Sequence, residues 1–376
     1  MSRQHVVVVG AGIVGLGAAL AAVKRGCTVT VVDRAGEPSG STVRNFGHLC
    51  IGAQTGRARA YADVARGIWI DLARETGLWL RASGTLVAAR HDDEMALLAV
   101  AARDGGIALL EATAIEARAS LRAGSTVGGA HIAPDLQVDP RTASAAIRSH
   151  LASLGVEFRL RTAVGRVAPG LVSTTRGDLH ADVVVVAVNH DLDQLLPDLA
   201  ESVGVQRCGL DMMRVHAPGV TLPAPLLTGW SLTRYGRFAG FDEAVAVRDR
   251  LHAERPDLAA IDLNQMYTQL PDGSLIVGDS HVKGIDVSPF QPEATSQLFL
   301  DELADLFGTT PVVTERWQGV YASGPDEFLV DESDPGVLVL AATTGIGMTT
   351  GLGLAELHLG AHLDQTTIPL LEGTTR

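Results

Sequence analysis

Residues 5–33 read HVVVVGAGIVGLGAALAAVKRGCTVTVVD, with two β-branched runs on either side of an apolar segment that begins with spaced glycines. This pattern predicts a strand, a tight turn, a helix and a second strand. Gly10 permits the turn, Gly12 lets the backbone approach a pyrophosphate, and Gly15 lets the helix pack on the strand. Asp33 ends the second strand, where a carboxylate can accept hydrogen bonds from a ribose. The stretch predicts a dinucleotide-binding unit but does not separate NAD from FAD. The expected turn residues are Gly10, Ala11, Gly12, Ile13, Val14 and Gly15.

The composition is that of a large globular protein. The 376 residues are 46% hydrophobic and include 41 glycines, enough to bury a large core and form two domains. A net charge of −13 argues against nucleic acid as a partner, because phosphate backbones are bound through basic surface. Three widely spaced cysteines indicate neither a disulfide framework nor a metal site. We therefore expect a protein of the reducing cytoplasm.

The N-terminal segment also has features of a secretory leader, since a basic residue precedes its apolar run. The glycine spacing and the second strand favour the nucleotide-binding interpretation instead. No stretch offers the roughly 18 uninterrupted apolar residues of a membrane helix. The sequence therefore predicts no leader and no membrane partner.

Three later segments extend the same kind of fold. Residues 139–155, DPRTASAAIRSHLASLG, predict a helix with Asp139 as its cap and Pro140 in its first turn. Residues 180–190, HADVVVVAVNH, predict another buried strand. Residues 336–363, GVLVLAATTGIGMTTGLGLAELHLGAHL, again predict a strand, a glycine turn and a helix. A plain NAD dehydrogenase does not need this last piece, which favours FAD.

The order and spacing of these segments resemble the FAD-dependent D-amino acid oxidase superfamily, particularly glycine oxidase and its relatives. The resemblance implies an α/β fold in which a Rossmann-type FAD-binding domain is built from residues 1–80, 137–195 and 322–376. Residues 81–136 and 196–321 would form a substrate domain on an antiparallel sheet. The strands expected there are TLVAAR (85–90), WSLTRYGRFAGF (230–241), LNQMYTQL (263–270) and GSLIVGDSH (273–281).

The same resemblance assigns the cofactor contacts. The loop STVRNFGHLC, residues 41–50, would run along the pyrophosphate towards the flavin ring, and Val164 would meet the adenine through its backbone. Backbone N–H groups of Gly347, Met348 and Thr349 at a helix start would stabilise negative charge on reduced flavin. No cysteine lies in the C-terminal region, so non-covalent FAD is expected. The cofactor contacts beyond the glycine turn are Asp33, Arg34, Ser41, Thr42, Arg44, Asn45, Phe46, Gly47, Val164, Asn189, Gly345, Gly347, Met348 and Thr349.

Relatives of this kind oxidise the carbon next to the nitrogen of a small amine, after which the imine hydrolyses. Positioning and exclusion of water dominate such a site, so few catalytic residues are expected. Dioxygen as the acceptor would release hydrogen peroxide, and a dehydrogenase that passes electrons to a quinone is the alternative. An NAD enzyme and a flavoprotein without catalytic activity also remain open.

One position departs from the glycine oxidase pattern. An arginine in the strand before the last FAD segment clamps the substrate carboxylate in those relatives, and Tyr321 occupies the matching position here. The segments TVRNFGHL (42–49), LTRYGRF (232–238), GDSHVKG (278–284) and WQGVYASGPD (317–326) resemble a branch associated with breakdown of aminophosphonates. That resemblance implies 2-aminoethylphosphonate or its N-methyl derivative as substrate, with a D-amino acid, glycine or sarcosine as the alternative.

A phosphonate offers three oxygens, which several donors meet better than one arginine. His48 and His281 are the candidate catalytic residues, although His48 could be a structural histidine. The segment RYGRF could equally be an exposed strand, and GDSH a turn capped by Asp279. The candidate substrate-binding residues are His48, Gln54, Arg234, Tyr235, Tyr267, His281 and Tyr321.

Overall fold

The computed structural model describes residues 3–368. Its strands are β1 (His5–Val9), β2 (Thr28–Val32), β3 (His48–Leu49), β4 (Leu80–Arg81), β5 (Thr85–Ala89), β6 (Ile107–Glu111), β7 (Gly128–Ile132), β8 (Leu136–Val138), β9 (Glu157–Arg159), β10 (Val164–Ala168), β11 (Leu171–Thr174), β12 (Gly177–His180), β13 (Val183–Val186), β14 (Gln206–His216), β15 (Leu226–Thr228), β16 (Met266–Gln269), β17 (Leu275–Gly278), β18 (Val282–Gly284), β19 (Val312–Ser323), β20 (Phe328–Asp331) and β21 (Val337–Ala342).

The helices alternate with these strands in the first and last thirds of the chain. They are α1 (Ile13–Lys24), α2 (Gly56–Thr76), α3 (Asp92–Ala101), α4 (Ala112–Ala119), α5 (Pro140–Ser153), α6 (Leu192–Leu195), α7 (Pro197–Ser202), α8 (Gly229–Leu232), α9 (Gly236–Ala239), α10 (Asp242–Glu254), α11 (Pro256–Ala260), α12 (Glu293–Phe307) and α13 (Gly347–Asp364). Within residues 3–368, none of these helices has the length and apolarity that crossing a bilayer requires.

The predicted β1–α1–β2 unit forms the centre of a six-stranded sheet. The strand order is β20–β21–β13–β1–β2–β9, and every neighbouring pair except β20–β21 is parallel. The valine runs of β1 and β13 are almost wholly buried, as expected for a parallel sheet covered on both faces. Gly10 has φ +107°, and a Cβ at Gly15 would lie 1.9 Å from the Gly10 carbonyl oxygen, so both glycines are needed where helix meets strand.

A nine-stranded sheet occupies the middle of the chain. The path is β18–β14–β17–β16–β15–β5–β7–β6, with β19 also paired to β14. All pairs are antiparallel except β15–β5. Its long strands β14 and β19 pair over their whole length, which brings Tyr321 opposite Cys208. Together the two large sheets give the predicted α/β architecture with a second, antiparallel layer.

One predicted strand is wrong. Residues 230–241 form the short helices α8 and α9 and the turns around them. All four residues of α8 are buried, whereas a half-covered strand would alternate between buried and exposed side chains. The Ser231 hydroxyl donates to the Gln265 carbonyl oxygen at 2.7 Å, which fixes α8 beside the start of β16.

The segment that contains α8 and α9 is held to the rest of the molecule by Arg237. Its backbone N–H donates to the Ala53 carbonyl oxygen at 3.1 Å, and its guanidinium donates to the carbonyl oxygens of Gly52 at 3.2 Å and Ala101 at 3.0 Å. These three bonds fix the backbone on either side, so that the neighbouring side chains of Arg234 and Tyr235 have a defined direction.

Candidate functional site

Two adjoining cavities lie at the carboxyl ends of the parallel strands. The first, here called the groove, has a volume of about 420 Å³ and follows the β1–α1 turn and the end of β2. The second, here called the inner cavity, has a volume of about 520 Å³ and lies between the start of α13 and the nine-stranded sheet. Both are lined by Gly12, Thr42, Arg44 and Asn189, so that they are continuous.

Most of the predicted cofactor residues line one or both of these spaces. They are Gly10, Ala11, Gly12, Ile13, Val14, Asp33, Arg34, Ser41, Thr42, Arg44, Asn45, Phe46, Val164, Asn189, Gly345, Gly347 and Met348. Gly15, Gly47 and Thr349 lie outside both cavities. Gly47 has φ +68°, and a Cβ there would lie 2.0 Å from the Val138 carbonyl oxygen, so its role is to let the loop turn.

Thr349 requires a correction. Its backbone N–H donates to the Ile346 carbonyl oxygen at 3.0 Å, and its side-chain oxygen accepts from Cys50 N–H at 3.0 Å. The Thr349 N–H is therefore already paired, contrary to the prediction that it would face the cavity. The inner cavity meets the start of α13 through Gly345, Ile346, Gly347 and Met348 instead.

Asp33 is positioned by the backbone on both sides of the groove. Its two carboxylate oxygens accept from Ala11 N–H at 2.7 Å and from Ala35 N–H at 2.8 Å. Each carboxylate oxygen retains a second lone pair. Asp33 therefore stabilises the backbone of the β1–α1 turn and still offers hydrogen-bond acceptors to a ligand in the groove.

The 41–50 loop is rigid for a clear reason. Its Asn45 side chain donates to the carbonyl oxygens of Ser41 and Thr42, both at 2.8 Å, and accepts from Gly47 N–H at 2.7 Å. The Thr42 hydroxyl accepts from Ile13 N–H at 2.9 Å, and Arg44 donates to the Gln318 carbonyl oxygen at 3.1 Å. The loop is thus tied both to the α1 N-terminus and to β19.

Five of the predicted substrate residues line the inner cavity, namely Gln54, Arg234, Tyr235, His281 and Tyr321. Arg234 is oriented by Asp262, whose Oδ1 lies 2.6 Å from Nη1. His281 Nδ1 lies 2.9 Å from the Asp262 carbonyl oxygen, which can only accept, so Nδ1 carries the proton. Burial and the nearby Arg234 lower the pKa of His281 to about 3, so its imidazole is neutral.

The Tyr321 phenol faces the place where α13 begins. A Cβ at Gly345 would lie 3.5 Å from its oxygen, so the two residues are in close contact. Burial raises the pKa of Tyr321, which keeps the phenol neutral and able to donate a hydrogen bond. Arg316, on the same strand, is ion-paired with Glu293 at 3.0 Å and does not line the inner cavity.

The structure does not agree with the predicted substrate contacts of His48 and Tyr267, because neither residue lines the inner cavity. His48 Nε2 lies 2.6 Å from the Thr85 hydroxyl, and Nδ1 lies 3.2 Å from Met266 Sδ. Met266 lines the cavity, so His48 lies one layer behind it. Tyr267 is 1% exposed and packs edge-on against Phe307, since its side chain alternates to the face of β16 opposite Met266.

His48 belongs to a buried cluster with Cys50 and Asp135, whose potential metal-ligand atoms lie within 4.8 Å of one another. The Asp135 oxygens already accept from Gly52 N–H and from the Thr85 hydroxyl, each at 2.6 Å. These internal hydrogen bonds account for the cluster as structural support beneath the cavity wall.

The sequence reasoning missed several residues that line the inner cavity, among them Arg248, Asp262, Lys283, Asn264 and Asp279. Asn264 and Asp279 line the inner cavity, and Oδ1 of each is buried with no hydrogen-bond partner among residues 3–368. Asp279 is therefore not the turn cap considered for GDSH. The available signal was an acidic residue directly after LIVG, an apolar strand expected to be buried.

The residues of the two cavities fit FAD. Asp33 offers acceptors at one end of the groove, and the α1 N-terminus supplies N–H groups in its middle, where Gly12 has no side chain to block a pyrophosphate. The α13 N-terminus lies at the inner cavity, where its dipole favours negative charge. The arrangement thus has one matching feature for each part of the dinucleotide.

Comparison with known proteins agrees with this fit. The fold is similar to that of glycine oxidase from Bacillus cereus, with a TM-score of 0.79 and 16% identity over 100% of this chain and 99% of that one. It is similar to L-alpha-glycerophosphate oxidase from Mycoplasma pneumoniae with FAD bound, at TM-score 0.74 and 15% identity, covering 96% and 95%. Iminodiacetate oxidase from a Chelativorans species gives TM-score 0.72 and 18% identity, covering 97% and 96%.

No curated protein sequence matches the chain significantly. A family model described as "DAO: FAD dependent oxidoreductase" matches residues 5–358, which is nearly the whole chain. The protein therefore belongs to the DAO family of FAD-dependent oxidoreductases, and FAD is its cofactor.

Proposed function

We propose that this protein oxidises the carbon next to nitrogen in a small amine that also carries an anionic group, most specifically 2-aminoethylphosphonate or its N-methyl derivative. When bound, FAD accepts the two electrons removed from the C–N unit. With dioxygen as the terminal acceptor, amine, dioxygen and water give phosphonoacetaldehyde, ammonia or methylamine, and hydrogen peroxide. We further propose that FAD is held without a covalent bond and that the protein works in the cytoplasm.

The observation that supports this substrate is the charge of the inner cavity. Four cationic residues line it, although the protein as a whole has a net charge of −13, and they outnumber the three acidic residues there; the cationic ones are Arg44, Arg234, Arg248 and Lys283, and the acidic ones Asp262, Asp279 and Glu327. Arg234 Nη2 makes only a 3.5 Å contact with Asp262, so this nitrogen and Nε remain available as donors. A local concentration of cationic side chains in an acidic protein favours an anionic ligand.

The arrangement of the hydrogen-bond donors around the inner cavity favours a phosphonate over a carboxylate. Tyr321 occupies the position expected for a carboxylate-clamping arginine, and its neutral phenol donates one hydrogen bond. Arg234, Tyr235 and Lys283 also line the cavity and belong to other segments, the first two directly before α9 and the third on β18. Three phosphonate oxygens match donors distributed in this way better than two carboxylate oxygens do.

The alternative is a glycine- or sarcosine-type oxidase. Two structural neighbours are named glycine oxidase and iminodiacetate oxidase, and both names describe oxidation of a small amine that bears a carboxylate. Under this alternative Arg234 would bind the carboxylate.

The discriminating experiment is reduction of the bound flavin under nitrogen. We expect N-methyl-2-aminoethylphosphonate or 2-aminoethylphosphonate to bleach the flavin absorption, while glycine, sarcosine and D-alanine act slowly. Faster bleaching by sarcosine would favour the alternative. Absence of bleaching by every amine would leave a flavoprotein without amine oxidation activity.

We also propose that residues 1–80, 137–195 and 322–376 form the FAD-binding domain and that the intervening segments form the substrate domain. This division is supported by the sheets, because all six strands of the parallel sheet come from the first set of segments. The nine-stranded sheet comes from the second set, except that β19 continues to Ser323.

A further inference from the structure

Asp279 is an unusual carboxylate in the wall of the inner cavity. It follows β17, is 4% exposed, and its Oδ1 has no hydrogen-bond partner in the described part of the chain. Its Oδ2 lies 3.8 Å from His281 Nε2, beyond hydrogen-bond distance. Buried carboxylates normally accept several hydrogen bonds, so a donor is missing from this one.

Asn264 lies beside Asp279, where a hydrogen bond from its side chain lowers the pKa of that carboxyl, and within residues 3–368 its own Oδ1 lacks a donor as Asp279 Oδ1 does. The two residues are joined by a reciprocal pair of backbone hydrogen bonds, each 2.8 Å long, which fixes their relative position. The Asn264 Oδ1 is buried, faces the same cavity and has no partner among the described residues. Two neighbouring unpaired acceptors call for a ligand with more than one N–H, and the negative charge of a carboxylate favours a cationic one.

In this structure, none of the charged groups in the described part of the chain donates to Asp279 Oδ1. Arg234 directs Nη1 to Asp262, and the proton of His281 Nδ1 points to the Asp262 carbonyl oxygen. Burial raises the pKa of Asp279 to about 7, while Arg234 acts in the opposite direction. Six titratable or charged groups on the surrounding elements interact with Asp279. They are Cys208 on β14, Arg234 and Tyr235 beside α9, Asp262 before β16, His281 before β18 and Tyr321 on β19.

We propose that Asp279 binds the ammonium group of the substrate and accepts one of its protons before oxidation. The proposal deepens the proposed amine oxidation and rests on it. The N–H bond of R–CH2–NH3+ breaks, its electron pair stays on nitrogen, and the proton forms an O–H bond on the Asp279 carboxylate. The products are R–CH2–NH2 and a neutral carboxyl. The nitrogen then has a free lone pair when the adjacent C–H bond breaks, and FAD, when bound, would take up that hydrogen with its electron pair. Asn264 Oδ1 accepts a second N–H and orients the amine.

The inner cavity also offers a partner of opposite sign for each of the two charges of the substrate. Asp279 and Asn264 would hold the ammonium end, and Arg234 with Lys283 would hold the anion. A zwitterionic substrate is thereby fixed at both ends, which positions the carbon between them.

The test compares the wild-type protein with Asp279→Asn, which keeps the shape of the side chain but cannot accept the proton. With FAD bound and under nitrogen, the rate of flavin bleaching by 2-aminoethylphosphonate is measured from pH 6 to 10. In the wild type the rate should rise with pH through a midpoint near 7. In Asp279→Asn it should be about 10²-fold lower at pH 7 and recover as the free amine forms near pH 10.

Two further variants make the result specific. Asp178→Asn removes the same charge from an exposed position on β12 and should behave like the wild type. Asp279→Glu retains a carboxyl and should keep a rising limb near neutral pH. Flavin content of each protein shows that the cavity has formed.

Binding of propylphosphonate, which has a methyl group in place of the amine, provides a readout without catalysis. Its dissociation constant, measured by perturbation of the flavin spectrum, should be unchanged or lower in Asp279→Asn, whereas that of 2-aminoethylphosphonate should rise at pH 7. A wild-type rate and pH profile in Asp279→Asn would overturn the role of Asp279 and leave the amine oxidation intact. Failure of every amine to bleach the wild type would instead overturn the proposed function, and this proposal with it.

Discussion

The groove and the inner cavity are built in different ways. The groove is formed mainly by backbone: glycines at the β1–α1 turn, the α1 N-terminus, and Asp33 bound to two backbone N–H groups. The inner cavity is formed by side chains from distant segments, among them Arg234, Asp279 and Tyr321. Three of its buried oxygens, on Asn264, Asp279 and Thr344, lack hydrogen-bond partners among residues 3–368. In the described part of the chain, Ser144 Oγ is the one such atom that lines the groove, so the inner cavity has more unpaired polar atoms for a ligand to satisfy.

Replacing Gly12 by valine should have the largest effect on activity, because a protein that does not retain FAD cannot oxidise any substrate. Even a Cβ at this position would lie 3.3 Å from the Thr42 hydroxyl oxygen, and the branched side chain would occupy the space beside the α1 N-terminus. We expect FAD affinity to fall by about 100-fold or more, equivalent to about 3 kcal/mol. Flavin retained after dialysis measures this. Normal retention would show that the groove does not hold the pyrophosphate.

Arg234→Ala should affect the inner cavity alone. Loss of a desolvated partner of the substrate anion should cost about 2–5 kcal/mol in transition-state binding. Catalytic efficiency on N-methyl-2-aminoethylphosphonate and on sarcosine should be compared for wild type, Arg234→Ala and Tyr321→Arg, with flavin content as the control. Tyr321→Arg should shift preference towards sarcosine. An Arg234→Ala protein with undiminished efficiency on the phosphonate would contradict the anion site.

The buried carboxylate of Asp279 should also affect how the free energy of unfolding depends on pH. Its pKa is raised by burial to about 7, so the folded state binds this proton more tightly than the unfolded state does. Stability should therefore fall as pH rises from about 4 to 7, at 1.36 kcal/mol per pKa unit. Asp279→Asn buries no charge at this position. The difference between its free energy of unfolding and that of the wild type should therefore be about 2–4 kcal/mol larger, in favour of the variant, at pH 8 than at pH 4. Thermal unfolding at both pH values, at one FAD concentration, tests the prediction, which an equal difference at the two pH values would refute.

Asp33→Ala should have the smallest effect of this series. Losing the acceptor for the ribose should weaken FAD binding by about 1–3 kcal/mol. Because Asp33 also accepts from Ala11 and Ala35 N–H, the variant should unfold at a lower temperature even without added FAD. Flavin content after extensive dialysis measures the first effect, and unchanged content would remove Asp33 from the cofactor site.

The difference between the groove and the inner cavity also explains which site residues could be predicted from the sequence. Gly10, Gly12, Gly15 and Asp33 belong to one short segment, where local spacing determines the backbone. Tyr267 and His48 were assigned from their positions in the chain, yet alternation along β16 and the hydrogen bond to Thr85 turn them away from the cavity. The prediction of a strand at 230–241 was wrong because the aromatic-rich pattern there favours a strand, whereas the fold buries every residue of α8.

Asn264 and Asp279 were missed for a related reason. They are separated by fifteen positions in the sequence and meet only because β16 and β17 pair as an antiparallel hairpin. Their missing hydrogen bonds are a property of the folded cavity, since any exposed carboxylate or amide in the unfolded chain is bonded to water. A pattern of residue types cannot reveal this deficit.

Arg237 has a consequence for how such an enzyme can change. Because its bonds to Gly52, Ala53 and Ala101 anchor the 229–241 segment from beneath, Arg234 and Tyr235 can be exchanged while the backbone that presents them stays fixed. This segment contributes nothing to the groove. We therefore expect that substitutions at Arg234 and Tyr235, in evolution or in the laboratory, can alter substrate preference without rebuilding the half of the protein that holds the flavin nucleotide.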